Sequence, residues 1–266
     1  MILSVQHVTT YHYASPVRGI VQSHRLRPSL FDGQKTLAWQ VQVSDGVMGG
    51  AFRDGAGDWI EAWAIHGPVD AISVAVQGQV ETTDLSGLLK GHRESVPPEA
   101  YLRDTDATRA DGAIAALATE AGGTEPLDRA HRLSAAISKA VVWRPGTTWV
   151  RTTAAAALAQ GEGVCQDHAQ ILIAAARLGD IPARYVTGYL LATGATGDAA
   201  HAWAELWIRG LGWIGFDPAN ECCPDDRYIR LGSGYDAQDA AVIRGVSRGS
   251  GTEKLEVTVA VQALHH

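Results

Sequence analysis

The sequence is poor in cysteine, methionine and phenylalanine, with three, two and three of each among 266 residues. Three cysteines, two of them adjacent as Cys222 and Cys223, cannot build a disulfide framework, so a packed core has to hold the fold and thiol chemistry stays open. That usage fits a reducing compartment, and a cytoplasmic location is expected. Positive charge is also scarce: 22 Lys and Arg face 29 Asp and Glu, for a net charge of -7. A nucleic-acid binder needs a clustered excess of Lys and Arg to neutralise phosphates, so that class is excluded. No long apolar run is present. The best one, ILIAAARLG, is far short of the roughly 20 residues a membrane-crossing helix needs, so no membrane role is expected. The opening MILSVQHVTTYHYASP lacks the basic start, apolar centre and small-residue cleavage site of a signal peptide. Repeats, heptads and low-complexity tracts are absent too.

What is present is a globular composition, 46% hydrophobic and 19% charged, in a chain long enough to bury a sizeable core. Up to about Thr83 the pattern has a period near two. VQHVTTYHY, TLAWQVQV, WIEAWAIH and ISVAVQGQVETT are rich in β-branched and aromatic residues and are separated by Gly and Asp turns. This predicts an N-terminal β domain over 1–83, a sandwich with one wet face per sheet. The stretch 84–98, DLSGLLKGHRESVPP, loses the alternation and ends in two prolines, so it reads as a linker. From 99 to 266 helical spacing appears in DATRADGAIAALATEAGG and PLDRAHRLSAAISKAV. Strands follow at ARYVTGYLL, HAWAELWI, GWIGF and KLEVTVAVQAL. The whole is an α+β protein whose second domain includes the C-terminal strands.

The segment GEGVCQDHAQILIAAARLG carries the first candidate for chemistry. Ile171, Leu172, Ala175 and Leu178 recur at helical spacing between Gly163 and Gly179, which puts Cys165 in the first turn. There the unpaired backbone N–H groups and the positive end of the helix dipole favour a thiolate and can also hold an oxyanion. A cysteine placed so can equally be an apolar filler. A base is available downstream. Alternation in HAWAELWI puts His201, Trp203, Glu205 and Trp207 on one face of a strand and Ala202, Ala204, Leu206 and Ile208 on the other. After a Gly210–Gly212 turn the next strand ends at Asp217, beside His201 if register or a bulge allows. A thiol, an imidazole to take its proton and a carboxylate to fix the tautomer make an activated nucleophile.

GVCQDHAQ, IPARYVTGYL, HAWAELWI and GWIGFDPAN, in this order and spacing, resemble the bacterial branch of the transglutaminase-like superfamily, including its transglutaminase-like cysteine proteases. The HVTTYHYASPV region resembles the β domain that often precedes that core. The resemblance implies a papain-like core with Cys165 as nucleophile, His201 as base and Asp217 as its partner. It also implies attack on an amide to give a thioester. DGAGDW departs from the family pattern, which commonly has Asn after that Gly, and LGSGYD stands where a Gly-Arg-Asp-Tyr run is usual.

Several residues admit rival roles. His168 could share a helix face with Cys165, but a side chain on the same helix is poorly placed for a productive hydrogen bond to it. Asp167 could cap the helix or pair with Arg184. Of Trp143, Trp149, Trp203, Trp207 and Trp213, only Trp203 is expected near the site. Gln166 and Trp203 are the candidate substrate-contacting residues. Adjacent cysteines rarely reach one tetrahedral ion, HAWAE lacks the P-C-x-x-C of a zinc deaminase, and Gly161–Gly163 begins no complete phosphate loop. No metal or cofactor is therefore expected. The expected activity is that of a thiol enzyme acting on a peptide, protein or γ-glutamyl amide. Water is the expected acceptor, because the short loop ATGATGDAA before His201 reads as an open edge rather than a lid. Amine-accepting crosslinking and a non-catalytic scaffold are the alternatives.

Overall fold

The computed structural model describes residues 1–191, 200–249 and 251–264. Two long strands, β1 (Ile2–His24) and β4 (Trp59–Thr82), pair antiparallel along most of their length. The register shifts between His12 and Val17 and again by Gly19, and these irregularities divide each strand into two halves. β2 (Gln34–Val43) pairs with the second half of β4, and β3 (Gly46–Arg53) with the first. In place of two separate sheets, the strands are hydrogen-bonded, among the described residues, into one six-stranded sheet. Its halves share core residues: Tyr11 and Val43 pack with Val17, Ile20, Ile65 and Ile72.

The second region is helical at first. A short 3-10 turn (Pro98–Leu102) leads to α1 (Gly112–Ala121), capped by Asp111, whose carboxylate accepts the N–H groups of Ala113 and Ile114. α2 (Pro126–Ala140) starts on its proline. The two-residue strands β5 (Val142–Trp143) and β6 (Glu162–Gly163) pair in parallel around α3 (Ala154–Gln160), which is capped by Thr153. α4 (Cys165–Arg177) is buried from Asp167 to Arg177 and is the central helix of the main core, with Ile171, Leu172 and Ala175 fully inside. Leu178, expected on the same apolar stripe, is half-exposed just past its end. α4 lies on a four-stranded antiparallel sheet made of β7 (Ala183–Leu190), β8 (Ala200–Ile208), β9 (Gly212–Phe216) and β10 (Tyr228–Gly234), in the order β10-β7-β8-β9.

The last strands depart from the expected partition. β11 (Ile243–Ser247) and β12 (Glu253–Ala263), expected with the second domain, pair with β1 of the N-terminal sheet. β1 has an open edge, and a period-two strand can be added to it from anywhere in the chain. Nor is the 84–98 stretch a free spacer. Gly87 and Leu89 exchange backbone hydrogen bonds with Gly215 and Trp213, and Glu94 accepts from Trp213 Nε1 and from Arg184 at 2.5 Å.

A buried ion network joins the two regions. Arg184 on β7 stands opposite Glu205 on β8 and donates to it at 2.7 Å. Glu205 also accepts from Arg230 on β10 at 2.8 Å, and Arg230 reaches Asp58 of the N-terminal region at 2.8 Å. Burial alone would push the Glu205 carboxyl up, but the two guanidinium groups outweigh it and hold it down at about 2. Asp58 also accepts from the Ser233 N–H at 2.6 Å. The two segments that depart from the family pattern, DGAGDW and LGSGYD, therefore meet each other in this junction. At Gly232 a Cβ would run into the Arg25 side chain, so the close approach there favours glycine.

Candidate active site

The start of α4 is fixed by its own third residue. The Asp167 carboxylate accepts the Val164 N–H at 2.8 Å and the Thr148 hydroxyl at 2.7 Å. A Cβ on Gly163 would fall 2.7 Å from that carboxylate, which is why glycine precedes the helix. Of the two roles weighed for Asp167, the cap is the one observed, and Arg184 is held by Glu94 and Glu205 instead. Cys165 is the first residue of α4 and is partly exposed. The Asp167 N–H already donates to the Val164 carbonyl at 3.0 Å, so the orphan N–H groups of this turn are those of Cys165 and Gln166.

His201 lies near the start of β8. β8 and β9 pair with Ala204 opposite Phe216 and Ile208 opposite Gly212. One further step of that register sets Asp217 opposite Trp203, on the same face as His201 and diagonal to it, a distance side chains can span. The His201 Nε2–H donates to Asp217 Oδ2 at 2.6 Å. With Nε2 engaged, Nδ1 is the free nitrogen of the ring, and the nearby Cys165 thiol is among the groups that act on the imidazole. Burial alone would lower the His201 pKa. The hydrogen bond to Asp217 and the interaction with Cys165 outweigh it and raise it to about 10.

Asp217 is itself held on every side. Oδ2 also accepts from Asn220 Nδ2 at 2.7 Å and from the Tyr228 hydroxyl at 2.8 Å, and Oδ1 accepts the Ala219 N–H at 3.1 Å. Burial would push this carboxyl up, but the bonds from His201, Asn220 and Tyr228 bring it below its ordinary range. The Cys222 sulfur sits 3.3 Å from the Tyr228 oxygen. Since the tyrosine proton is committed to Asp217, the thiol donates. Asn220, Tyr228 and Cys222 were not anticipated from the sequence. The FDPAN run carried a signal for Asn220, because an Asn shortly after an Asp in a turn folds back on it. Tyr228 and Cys222 carried none.

The other candidates sort as follows. His168 points away from the sulfur, with Nδ1 2.9 Å from the Val164 carbonyl oxygen and Nε2 3.0 Å from that of Val141. Trp203 does stand beside His201, with the rings nearly parallel and 6.4 Å apart. At 3% exposure, however, it is a wall beneath the imidazole and not an open substrate contact, a correction to the expected role. Tyr228 packs edge-on against the same indole. The Gln166 side chain is turned to the carbonyls of Trp149 and Val150, at 3.4 Å from each. Among the described residues no His, Cys, Asp and Glu cluster is arranged to hold a metal ion, and no helix is long and apolar enough to cross a membrane.

Residues 115–218 match the transglutaminase-like superfamily, and residues 3–81 match the bacterial transglutaminase-like N-terminal region. The chain belongs to the transglutaminase-like superfamily. An uncharacterized protein of Mycobacterium leprae is 28% identical over 98% of this chain and 99% of its own. One from Mycobacterium tuberculosis is 38% identical over a shorter stretch, 39% of this chain and 37% of that one. Among solved structures, a "putative cysteine protease" from Cytophaga hutchinsonii has the same fold, with a TM-score of 0.77 and 22% identity over 100% of this chain and 92% of that one. The superfamily supports an enzyme of the transglutaminase-like, thiol-dependent kind.

Proposed function

We propose that the chain hydrolyses amide bonds in a peptide or protein through a Cys165 thioester. The observation that carries this is the imidazole of His201, bonded at 2.6 Å to Asp217, with its pKa raised by that bond and by the thiol of Cys165 at the start of α4. In this reading the raised pKa of His201 keeps the proton on the imidazole, and the Cys165 thiolate beside it attacks the amide carbon. The resulting oxyanion is met by N–H groups of the first turn of α4. Collapse breaks the C–N bond, and the imidazolium gives its proton to the leaving amine. A water then attacks the thioester, His201 taking its proton, and the acid and thiol are released. Asp217 holds the tautomer that leaves Nδ1 toward the sulfur.

Water as acceptor is supported by the partial exposure of Cys165, since suppressing hydrolysis requires closing a site against solvent. The protease description of the Cytophaga structure fits the same reading. The loop ATGATGDAA, read from the sequence as an open edge, falls almost wholly outside the described residues. Three free thiols fit a cytoplasmic setting.

The test is to supply a panel of peptides and γ-glutamyl amides with and without a millimolar primary amine. The expected outcome is release of free acid, little diverted by the amine and abolished in Cys165→Ala. Predominant incorporation of the amine would instead make the chain a crosslinking enzyme. No turnover and no acyl-enzyme across the panel would favour the scaffold.

A further inference from the structure

The chain has eight tryptophans, and six of them are spent on packing. Trp39 meets Tyr189, Trp59 lies under Arg53, Trp63 stacks on His24, Trp203 faces His201 and Tyr228, and Trp207 meets Trp213 edge-on. Trp143 and Trp149 have no aromatic or cationic partner among the described residues. They are 43% and 81% exposed, beside Val142 and Val150 at 58% and 73%. An indole left four-fifths in water, as that of Trp149 is, forgoes most of the burial that ordinarily stabilises this residue, and large apolar side chains exposed in this way suit a contact surface.

Both indoles belong to the segment that frames the thiol. Trp143 pairs in the β5–β6 ladder with Gly163, two residues before Cys165. The turn carrying Trp149 and Val150 is strapped to α4 by side chains from that helix. Thr148 donates to Asp167 at 2.7 Å, Gln170 donates to the Thr152 carbonyl at 3.1 Å, and Gln166, the neighbour of Cys165, reaches the Trp149 and Val150 carbonyls. Thr152 closes the turn, accepting the Trp149 N–H at 2.9 Å. An exposed loop tip would ordinarily be polar and loosely held, whereas this one is apolar and tied down by hydrogen bonds to the nucleophile's own helix.

We infer that Trp143, Trp149 and Val150 form the substrate-binding surface of the Cys165 site, selecting peptides with a bulky apolar or aromatic side chain next to the amide attacked. This rests on the thiol chemistry proposed above. Gln166 then acts as a positioning residue, holding the loop to the helix.

Two chloromethyl ketones that differ only at the side chain test it, benzyloxycarbonyl-phenylalanyl and its glycyl counterpart, with iodoacetamide as a small probe of the thiol. In each chloromethyl ketone the sulfur displaces chloride, so a C–S bond forms as C–Cl breaks, and modification of Cys165 is read by peptide mass mapping. The phenylalanyl reagent should react faster than the glycyl one by about ten-fold or more, the discrimination an apolar pocket ordinarily gives. That ratio should fall toward one in Trp149→Ala and Trp143→Ala and be kept in Trp149→Phe. A ratio near one in the natural protein, with Cys165 still alkylated by iodoacetamide, overturns the inference and leaves the nucleophile standing. Failure of iodoacetamide to modify Cys165 ahead of Cys222 and Cys223 sinks the proposed function, and the inference with it. A ratio of one together with a concentration-dependent dimer that Trp149→Ala dissociates would assign the patch to a second copy of the chain and overturn the substrate reading.

Discussion

The Tyr228 hydroxyl donates a 2.8 Å hydrogen bond to the same Asp217 oxygen that accepts the His201 Nε2–H. The tyrosine comes from β10 and the histidine from β8, so two strands that are not neighbours in the sheet converge on one buried carboxylate. Removing that donor in Tyr228→Phe leaves the ring packing in place and takes away one bond to a charge, a loss of about 1 to 3 kcal/mol. The variant should unfold at lower denaturant concentration and lose activity at a higher pH on the acid side, because Asp217 then protonates more readily. An unchanged acid limb would show that the hydroxyl does not tune the carboxylate.

Asp217→Asn keeps the shape but offers an amide where His201 now finds an anion. The imidazole loses its charged partner, and turnover should drop, by at most the roughly 10⁴-fold that the same change costs a serine triad. His201→Ala should abolish turnover altogether, whereas His168→Gln should spare the chemistry, since both nitrogens of that ring face backbone carbonyls. Steady-state rates on a cleaved peptide measure all three. Loss of turnover in the His168 variant at undiminished stability would require a different base.

The three thiols should differ in reactivity. Burial pushes Cys223 up to about 11 and raises Cys222 as well, which keeps both as unreactive thiols at neutral pH. Iodoacetamide at a pH near 6 should therefore mark Cys165 first. Equal labelling of all three, read by mass mapping, would count against an activated nucleophile.

Stability should depend on pH through the His201–Asp217 pair. The folded pKa of His201, about 10, lies above its ordinary 6.5, so its contribution is full below 6.5 and disappears as pH rises toward 10. Asp217 is shifted down, so its contribution is present above the ordinary carboxylate range and is lost as the solution is acidified through its lowered value. Chemical denaturation between pH 6 and 10 should show a decline that His201→Ala removes. An identical slope in the variant would place the pH dependence elsewhere.

The junction between the two regions should be sensitive to loss of one ion. Arg230, 2% exposed, holds Glu205 and Asp58 together. Arg230→Ala takes a buried cation from both carboxylates, leaving Glu205 to Arg184 and Asp58 to Ser233 and the more distant Arg25, which costs about 3 to 5 kcal/mol. Thermal melting measures it, and a shift corresponding to less than about 1 kcal/mol would mean that water reaches the site and replaces the guanidinium.

The sequence alone determined the parts of this protein that depend on near neighbours. The helical spacing of Ile171, Leu172 and Ala175 and the glycine at 163 set Cys165 at a helix start, and alternation along β8 put His201 and Trp203 on one face. The two-glycine turn made Asp217 a candidate partner for His201, but the register that brings the two together was left open. Local backbone preferences and side-chain periodicity are enough for such statements. Only the tertiary structure decided what depends on distant segments. Trp203 is sealed under the imidazole by Gly188, Gly215 and Tyr228, which come from three other strands. Arg184 takes Glu94 and Glu205 and leaves Asp167 to cap α4, a choice among carboxylates that no spacing reveals. The β11 and β12 strands join the N-terminal sheet because β1 offers them an edge, and Asp58 finds Ser233 at a separation of 175 residues. Burial and charge pairing are properties of the assembled surfaces, so they become fixed only when those surfaces meet.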